Sequence, residues 1–170
     1  MSDFVVRPAT AQDAAAILVL HRRVAAVPGG LARRPEEITA DYIDHAMAAA
    51  ADGGLNLVAV DANGVLCGEI HVERMKVALF AHVLTDLTVA VDPDWQGRGV
   101  GSALFRALID AARQATPPVG RIELGTGANN LGAQRLYERL GFRIEGRMPG
   151  RGRHPDGRVE DDIVMGLLLD

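Results

Sequence analysis

The stretch VDPDWQGRGVGSALF, Val91 to Phe105, places Gly97, Gly99 and Gly101 at alternate positions between a strand-like apolar run and a helix-like amphipathic one. A helix N-terminus carries about half a positive charge and several unpaired N–H groups, so a chain that enters a helix through glycines can fold those donors around an anion. Side chains there would block a close approach, and Arg98 adds a cation at the same place. The competing reading is a turn that needs only the conformational freedom of glycine.

Working outward, His82 to Val91 reads as a strand, and from Ser102 to Ala115 the spacing predicts a helix. Leu104, Leu108 and Ala112 face inward there, with Arg106, Asp110 and Arg113 opposite. Upstream, FVVRP is a short strand, and Thr10 with Asp13 forms a capping box for a first helix whose inner face is Ala14, Ile17, Leu18, His21 and Ala25. Pro35 with Glu36 and Glu37 predicts a second helix start, burying Ile38, Tyr42, Ile43 and Met47. LNLVAV and VLCGEIHVER read as a hairpin turned at Asn63-Gly64. Downstream, RIEL is a short strand and GTGANN a loop into a helix with Ala133, Leu136, Tyr137 and Leu140 on one face. Gly141 closes that helix, and Phe142–Arg147 and Val159–Leu169 are strands around the loop RMPGRGRHPDG. The predicted order is β-α-α-β-β-β-α-β-α-β-β.

Composition narrows the function. The 170 residues suit one domain over residues 1–170, and 48% hydrophobic with 24% charged residues is an ordinary globular balance. No apolar run reaches the roughly 18 residues of a membrane span and the N-terminus lacks a basic-then-apolar leader, so a cytoplasmic protein is expected. A net charge of -4 and few aromatic residues argue against nucleic acid as partner. The lone Cys67 excludes an internal disulfide and a cysteine-based metal site, and no metal is expected.

Two phosphate loops fail on inspection. A Walker loop needs lysine and a hydroxyl residue after its last glycine, whereas Ser102 and Ala103 follow Gly101; the dinucleotide fingerprint needs a tight strand-to-helix turn, whereas Asp-Pro-Asp-Trp-Gln intervenes. Gln96-Gly97-Arg98-Gly99-Val100-Gly101 instead resembles the Gln/Arg-x-x-Gly-x-Gly/Ala loop of the GNAT N-acetyltransferases. Asn130-x-x-Ala133-x-x-x-Tyr137-x-x-x-Gly141-Phe142 is similar to that family's second motif, in the expected order. The resemblance is close from about Val83 to Met165, and the tail is most like the amino-acid N-acyltransferase and phosphinothricin-type branch.

The resemblance implies an α/β (α+β) fold with a mixed central sheet of about six to seven strands and about four flanking helices. It implies acetyl-CoA as co-substrate, its pyrophosphate on the N–H groups of Gly97, Arg98, Gly99, Val100 and Gly101, with Gln96 and Ser102 as further cofactor-binding residues, and its pantetheine arm along Val89, Ala90 and Val91. The expected activity is direct acetyl transfer to a primary amine of a small molecule such as an amino acid, with acetylation of protein N-termini or lysines, or a non-catalytic acyl-CoA sensor, as alternatives. A homodimer is the general expectation for a small enzyme.

Residue roles remain partly open at this level. Spacing alone reads Tyr137 as a core tyrosine, while the resemblance makes it the acid that protonates the departing thiolate and a cofactor contact. Asn130 is readable as a helix cap or as the cofactor contact the resemblance implies, with Asn129 as an alternative cap. Asp86 interrupts an apolar strand, where an unpaired carboxylate is costly to bury, and is expected to act as base or to bind the amine. His82, His71 and Glu73 lie on neighbouring strands and are further acceptor-side candidates. Arg151, Arg153 and His154 in the basic C-terminal loop are candidates for holding an acceptor carboxylate, with VPGGLARRP as the facing loop.

Overall fold

The computed structural model describes residues 3–169. Strand β1 (Phe4–Pro8) leads to helices α1 (Ala14–Ala25) and α2 (Ala40–Ala51), strands β2 (Leu55–Asp61), β3 (Leu66–Arg74) and β4 (Val83–Val91), and helix α3 (Val100–Arg113). Strand β5 (Arg121–Gly127), helix α4 (Leu131–Arg139) and strands β6 (Arg143–Arg153) and β7 (Val159–Leu168) complete it. The order is the expected one, and the seven strands form one mixed sheet, β1-β2-β3-β4-β5-β7-β6. Among the described residues only β4 and β5 pair in parallel.

The two faces of the sheet are covered differently. On one, α3 packs Val100, Leu104, Phe105 and Leu108 against Ile70, Val72, Leu84 and Ile122, and α4 adds Tyr137 to the same cluster. Gly68 is needed there, because a Cβ would lie 2.9 Å from Val100 and 3.0 Å from Leu104. The other face is covered by α1, α2 and the turn between them, through Ile17, Ile43 and Ile38 against Val58 and Val60, and through Leu20 and Val24 against Ala90.

Local boundaries differ from the sequence reading where tertiary partners intervene. Pro35–Glu37 form a single 3₁₀ turn, and α2 starts later, where the Thr39 hydroxyl accepts from the Tyr42 N–H. Helix α3 starts at Val100, two residues earlier than read from apolar spacing, because Gly99 supplies a left-handed N-cap at φ 84°. The GTG segment is not loop but the end of β5, where the Asp162 and Glu160 carboxylates fill the space that side chains at Gly125 and Gly127 would take. Much of RMPGRGRHPDG is edge strand: Arg147 and the Gly150 N–H both bond the Asp161 carboxylate, and the turn is confined to His154–Gly157. Proline is tolerated on such an edge.

At the entry to α1, Asp13 receives two hydrogen bonds from Arg7 at 2.8 and 2.9 Å and one from the Thr10 N–H at 2.7 Å. Arg7 pulls its carboxyl down to about 2, with the Thr10 N–H and hydroxyl helping against burial. With Arg7 more than a third exposed, the pair contributes about 1–2 kcal/mol after screening. A depressed carboxyl stabilises above its ordinary range and loses that contribution as pH falls through the folded value. Asp13→Asn should therefore lower the urea midpoint at neutral pH, and the gap to the parent should close as pH falls toward about 2. A gap that stays constant through acid titration would contradict this.

Candidate active site

The site follows from a defect in β4. His71 pairs with Thr88 and Glu73 with Thr85, so Val72 faces two residues, Asp86 and Leu87. This bulge puts Asp86 at φ 53°, a left-handed conformation that aspartate tolerates better than most side chains. Beyond it β4 and β5 part. Their pairing is limited to Val83 with Arg121 and Leu84 with Ile122, while β5 stays bonded to β7 through Gly127. Residues 85–91 of β4 thus turn one row of backbone N–H and C=O groups into a wedge-shaped gap. An extended ligand can complete that row as a strand would.

Gly97, Gly99 and Gly101 stand at the mouth of the gap. Gly97 and Gly99 have φ of 72° and 84°, with no atom of the described residues within 4 Å of where a Cβ would be. Their N–H groups and the α3 N-terminus form an open, exposed cradle for an anionic group. Its support comes from outside the turn. Asp92 caps the preceding 3₁₀ turn through the Asp94 N–H at 2.9 Å, its own N–H bonds Cys67 at 2.9 Å, and Arg23 of α1 pairs with Asp92 at 3.2 Å and Asp94 at 2.5 Å. The Arg98 guanidinium lies 4.4 Å over the Trp95 ring, which meets Phe4 edge-on. The polar character of the cradle fits a diphosphate, and its lack of β-carbons gives such a group room.

The expected cofactor residues fall on these two features. Val89, Ala90 and Val91 lie beyond the split, with Ala90 fully buried, so their contribution to the gap is backbone. Gln96 and Arg98 are exposed in the turn, Gly101 and Ser102 occupy the first turn of α3, and the Val100 side chain belongs to the core. Asn130 is the cap of α4, accepting from the Ala133 N–H at 3.2 Å, which leaves its side-chain NH₂ free to donate; Asn129 instead gives its backbone N–H to Glu160.

Tyr137 is buried against Phe105 and Phe142, ring centroids 5.2 and 6.1 Å away, and its hydroxyl has no hydrogen-bond partner among the described residues. Burial pushes its phenol up to about 12, so it is protonated throughout the neutral range. Asp86 is exposed, contrary to a reading that placed it inside an apolar strand, because the bulge swings it out of the pleat.

Other acceptor-side candidates separate. His82 precedes the paired stretch, at the closed end of the wedge, beside a groove of about 540 Å³ with Met75, Leu79 and Phe80. Glu73 pairs with His45 of α2 at 2.9 Å. In the basic segment Arg147, Arg151, His154 and Arg158 are matched by Asp161, Asp162, Glu160 and Asp156. Arg153 has no such partner among the described residues.

His71, the remaining acceptor-side candidate, belongs to a polar cluster on the α1/α2 face whose other members, His21, Tyr42 and Glu69, the sequence does not single out. Glu69 is fully buried and bonded by His21 at 2.7 Å and His71 at 2.9 Å; the Tyr42 hydroxyl lies 3.4 Å from the other nitrogen of His71. Burial opposes ionisation of Glu69, but its interactions with His71 and His21 outweigh it and hold the carboxyl below its ordinary range. Arg33, in VPGGLARRP, stacks 4.3 Å above the Tyr42 ring. His21 and Tyr42 sit on the stripes assigned to the core; the legible signal was Glu69-x-His71, two polar residues on one face of an apolar strand.

The profile of the Acetyltransferase (GNAT) family matches residues 26–142. The L-amino acid N-acetyltransferase AaaT of Escherichia coli (strain K12) is 32% identical over 146 residues, 86% of each chain. The ribosomal protein bS18-alanine N-acetyltransferase of the same organism is 42% identical over 100 residues, 55% of this chain and 66% of that one. Among solved structures, yncA from Salmonella typhimurium, with its cofactor acetyl-CoA, has a TM-score of 0.85 at 27% identity, covering 99% of this chain and 95% of that one.

Gly99→Ala tests the cradle. A left-handed alanine costs about 1–2 kcal/mol, which corresponds to a fall of about 5- to 30-fold in acetyl-CoA affinity by calorimetry. Parental affinity would mean that this turn does not carry the donor's phosphates.

Proposed function

The chain belongs to the GNAT acetyltransferase family, and from that premise we propose that this acetyl-CoA-dependent N-acetyltransferase acts on the primary amine of a small acceptor, an amino acid or an analogue. The observation that carries the reading is the parted β4/β5 edge with the glycine cradle at its mouth, which provides an extended slot ending beside an exposed carboxylate. The choice of acceptor is supported by similarity to an L-amino acid N-acetyltransferase along 86% of each chain.

Acetyl-CoA supplies an activated acyl group, and the protein's own residues do the rest. Gly97, Gly99 and the first turn of α3 hold the phosphates by N–H donation. The open backbone row of residues 85–91 fixes the arm that bears the thioester, and an N–H near Val89 stabilises negative charge developing on the acyl oxygen. Asp86, exposed on the bulge, attracts the acceptor's ammonium. Tyr137 keeps its proton at neutral pH and offers it to the sulfur that departs. Arg153 has a guanidinium available for a carboxylate of the acceptor.

A second reading is acetylation of a protein N-terminus, favoured by 42% identity over 100 residues to a ribosomal protein bS18-alanine N-acetyltransferase. Release of free thiol from acetyl-CoA with single L-amino acids and with alanine-initiated peptides separates the two. Efficient turnover of free amino acids supports the first; turnover confined to peptides replaces it with the second.

Tyr137→Phe keeps the ring in its pocket and removes only the hydroxyl. It should lower kcat about 100-fold while leaving acetyl-CoA affinity within about twofold of the parent. An unchanged kcat, or a loss confined to binding, would remove Tyr137 from the role of acid.

A further inference from the structure

Acetyl transfer requires an amine with a free lone pair, but amino acids arrive as ammonium ions at neutral pH. The cluster beneath Thr88 offers a destination for the surplus proton. Glu69 is fully buried on β3, and its carboxylate accepts from His21 Nε2 at 2.7 Å and from His71 Nδ1 at 2.9 Å. With both imidazoles neutral, this enclosed group carries one net negative charge, an expensive arrangement in a core where apolar side chains would pack equally well. One added proton would make it neutral.

The two histidines are not equivalent. His21 Nδ1 is buried with no partner among the described residues. Its proton therefore sits on Nε2, facing Glu69, since a bare lone pair is cheaper to bury than an unsatisfied N–H. His21 closes the chain at its inner end. His71 has an outlet: its Nε2 faces the Tyr42 hydroxyl at 3.4 Å, a separation of the kind that tightens when substrate binds. Tyr42 is half-buried and also meets the side chain of Thr88, the β4 residue paired with His71 inside the parted stretch of β4 and adjacent to Val89.

We propose that Tyr42, His71, Glu69 and His21 form a proton relay that deprotonates the acceptor's ammonium at the β4 edge of the gap. The proposal rests on the acetyl-transfer reading above. In the step, an N–H bond of the ammonium breaks and its proton passes to the Tyr42 oxygen as the phenol's own proton passes to His71 Nε2. The amine keeps the electron pair, His71 becomes imidazolium beside an ionised Glu69, and no electrons are exchanged. After transfer the proton leaves to water by the same phenol. Tyr42 is the catalytic residue, because it touches the amine; His71 is the proton store, and Glu69 and His21 position it.

The charged and titratable groups around the relay act in both senses: the carboxylates beside His71 favour an imidazolium there, while Asp86 favours the ammonium. Glu69 and Glu73 come from β3, His21 from α1, and His45, already paired with Glu73, from α2. Asp86 is on β4, and the Arg33 guanidinium, above the Tyr42 ring, disfavours the ammonium relative to the neutral amine.

Tyr42→Phe tests the relay through the pH dependence of kcat/KM for the acceptor, from about pH 6.5 to about pH 10. Near neutrality the variant should be about 100-fold slower than the parent. The deficit should shrink to within about threefold at the alkaline end, where solution has already deprotonated the amine. Acetyl-CoA affinity should be unchanged. His71→Gln, which retains an amide donor for Glu69 but no proton acceptor, should give the same converging profile. A Tyr42→Phe deficit constant with pH, or no deficit, overturns the relay while leaving acetyl transfer intact. A parent enzyme that releases no thiol from acetyl-CoA with any amine overturns the acetyl-transfer reading and the relay with it.

Discussion

One extra residue in β4 opens this sheet. With Asp86 and Leu87 both opposite Val72, β4 twists away from β5 after two parallel pairs, and β5 remains fastened to β7. Unpaired backbone groups in a sheet interior are costly, so a fold that keeps such a gap must fill it or use it. The flanking layers hold the halves apart: α3 packs across β3, β4 and β5 on one face, while α1 and α2 cover β2, β3 and β4 on the other. The strained conformation of Asp86 is thus tied to the opening itself, and the same defect that forms the slot displays a carboxylate beside it.

Every other element of the site is arranged around that gap. The β4 chain leaves the sheet at Asp92, is clasped by Arg23 of α1, turns through glycines and re-enters the core as α3, so anion cradle and slot are consecutive parts of one segment. Tyr137 reaches the core from α4 on the α3 face, whereas Tyr42, His71 and Glu69 lie on the α1/α2 face. In the proposed roles, proton donation to a departing sulfur and proton removal from an entering amine fall on opposite faces of the sheet. This separation keeps acid and base from neutralising each other.

The element order and the glycine cradle were legible in the sequence because both rest on local signals: periodicity, caps and turns. The proposed donor half of the site is built on them. The acceptor half depends on long-range placement. No local pattern reports that Asp86 sits on a bulge, that Arg147 and Arg151 are matched by Asp161 and Asp162 across the β6/β7 ladder, or that His21, Tyr42 and Glu69 converge from three elements. His21 and Tyr42 occupy apolar stripes, so periodicity assigned them to the core, where they are indeed packed; their polar atoms matter only once Glu69 is placed between them. Gly125 and Gly127 misled for a similar reason, since the carboxylates that make glycine necessary there come from β7.

In the proposed reading the β4 edge and the glycine turn together form the donor slot. Amide hydrogen exchange of the full chain, with and without acetyl-CoA, addresses it residue by residue. Slowed exchange confined mainly to residues 85–91 and 96–102 is the result this structure predicts. Protection that leaves both segments untouched while acetyl-CoA is bound would contradict it.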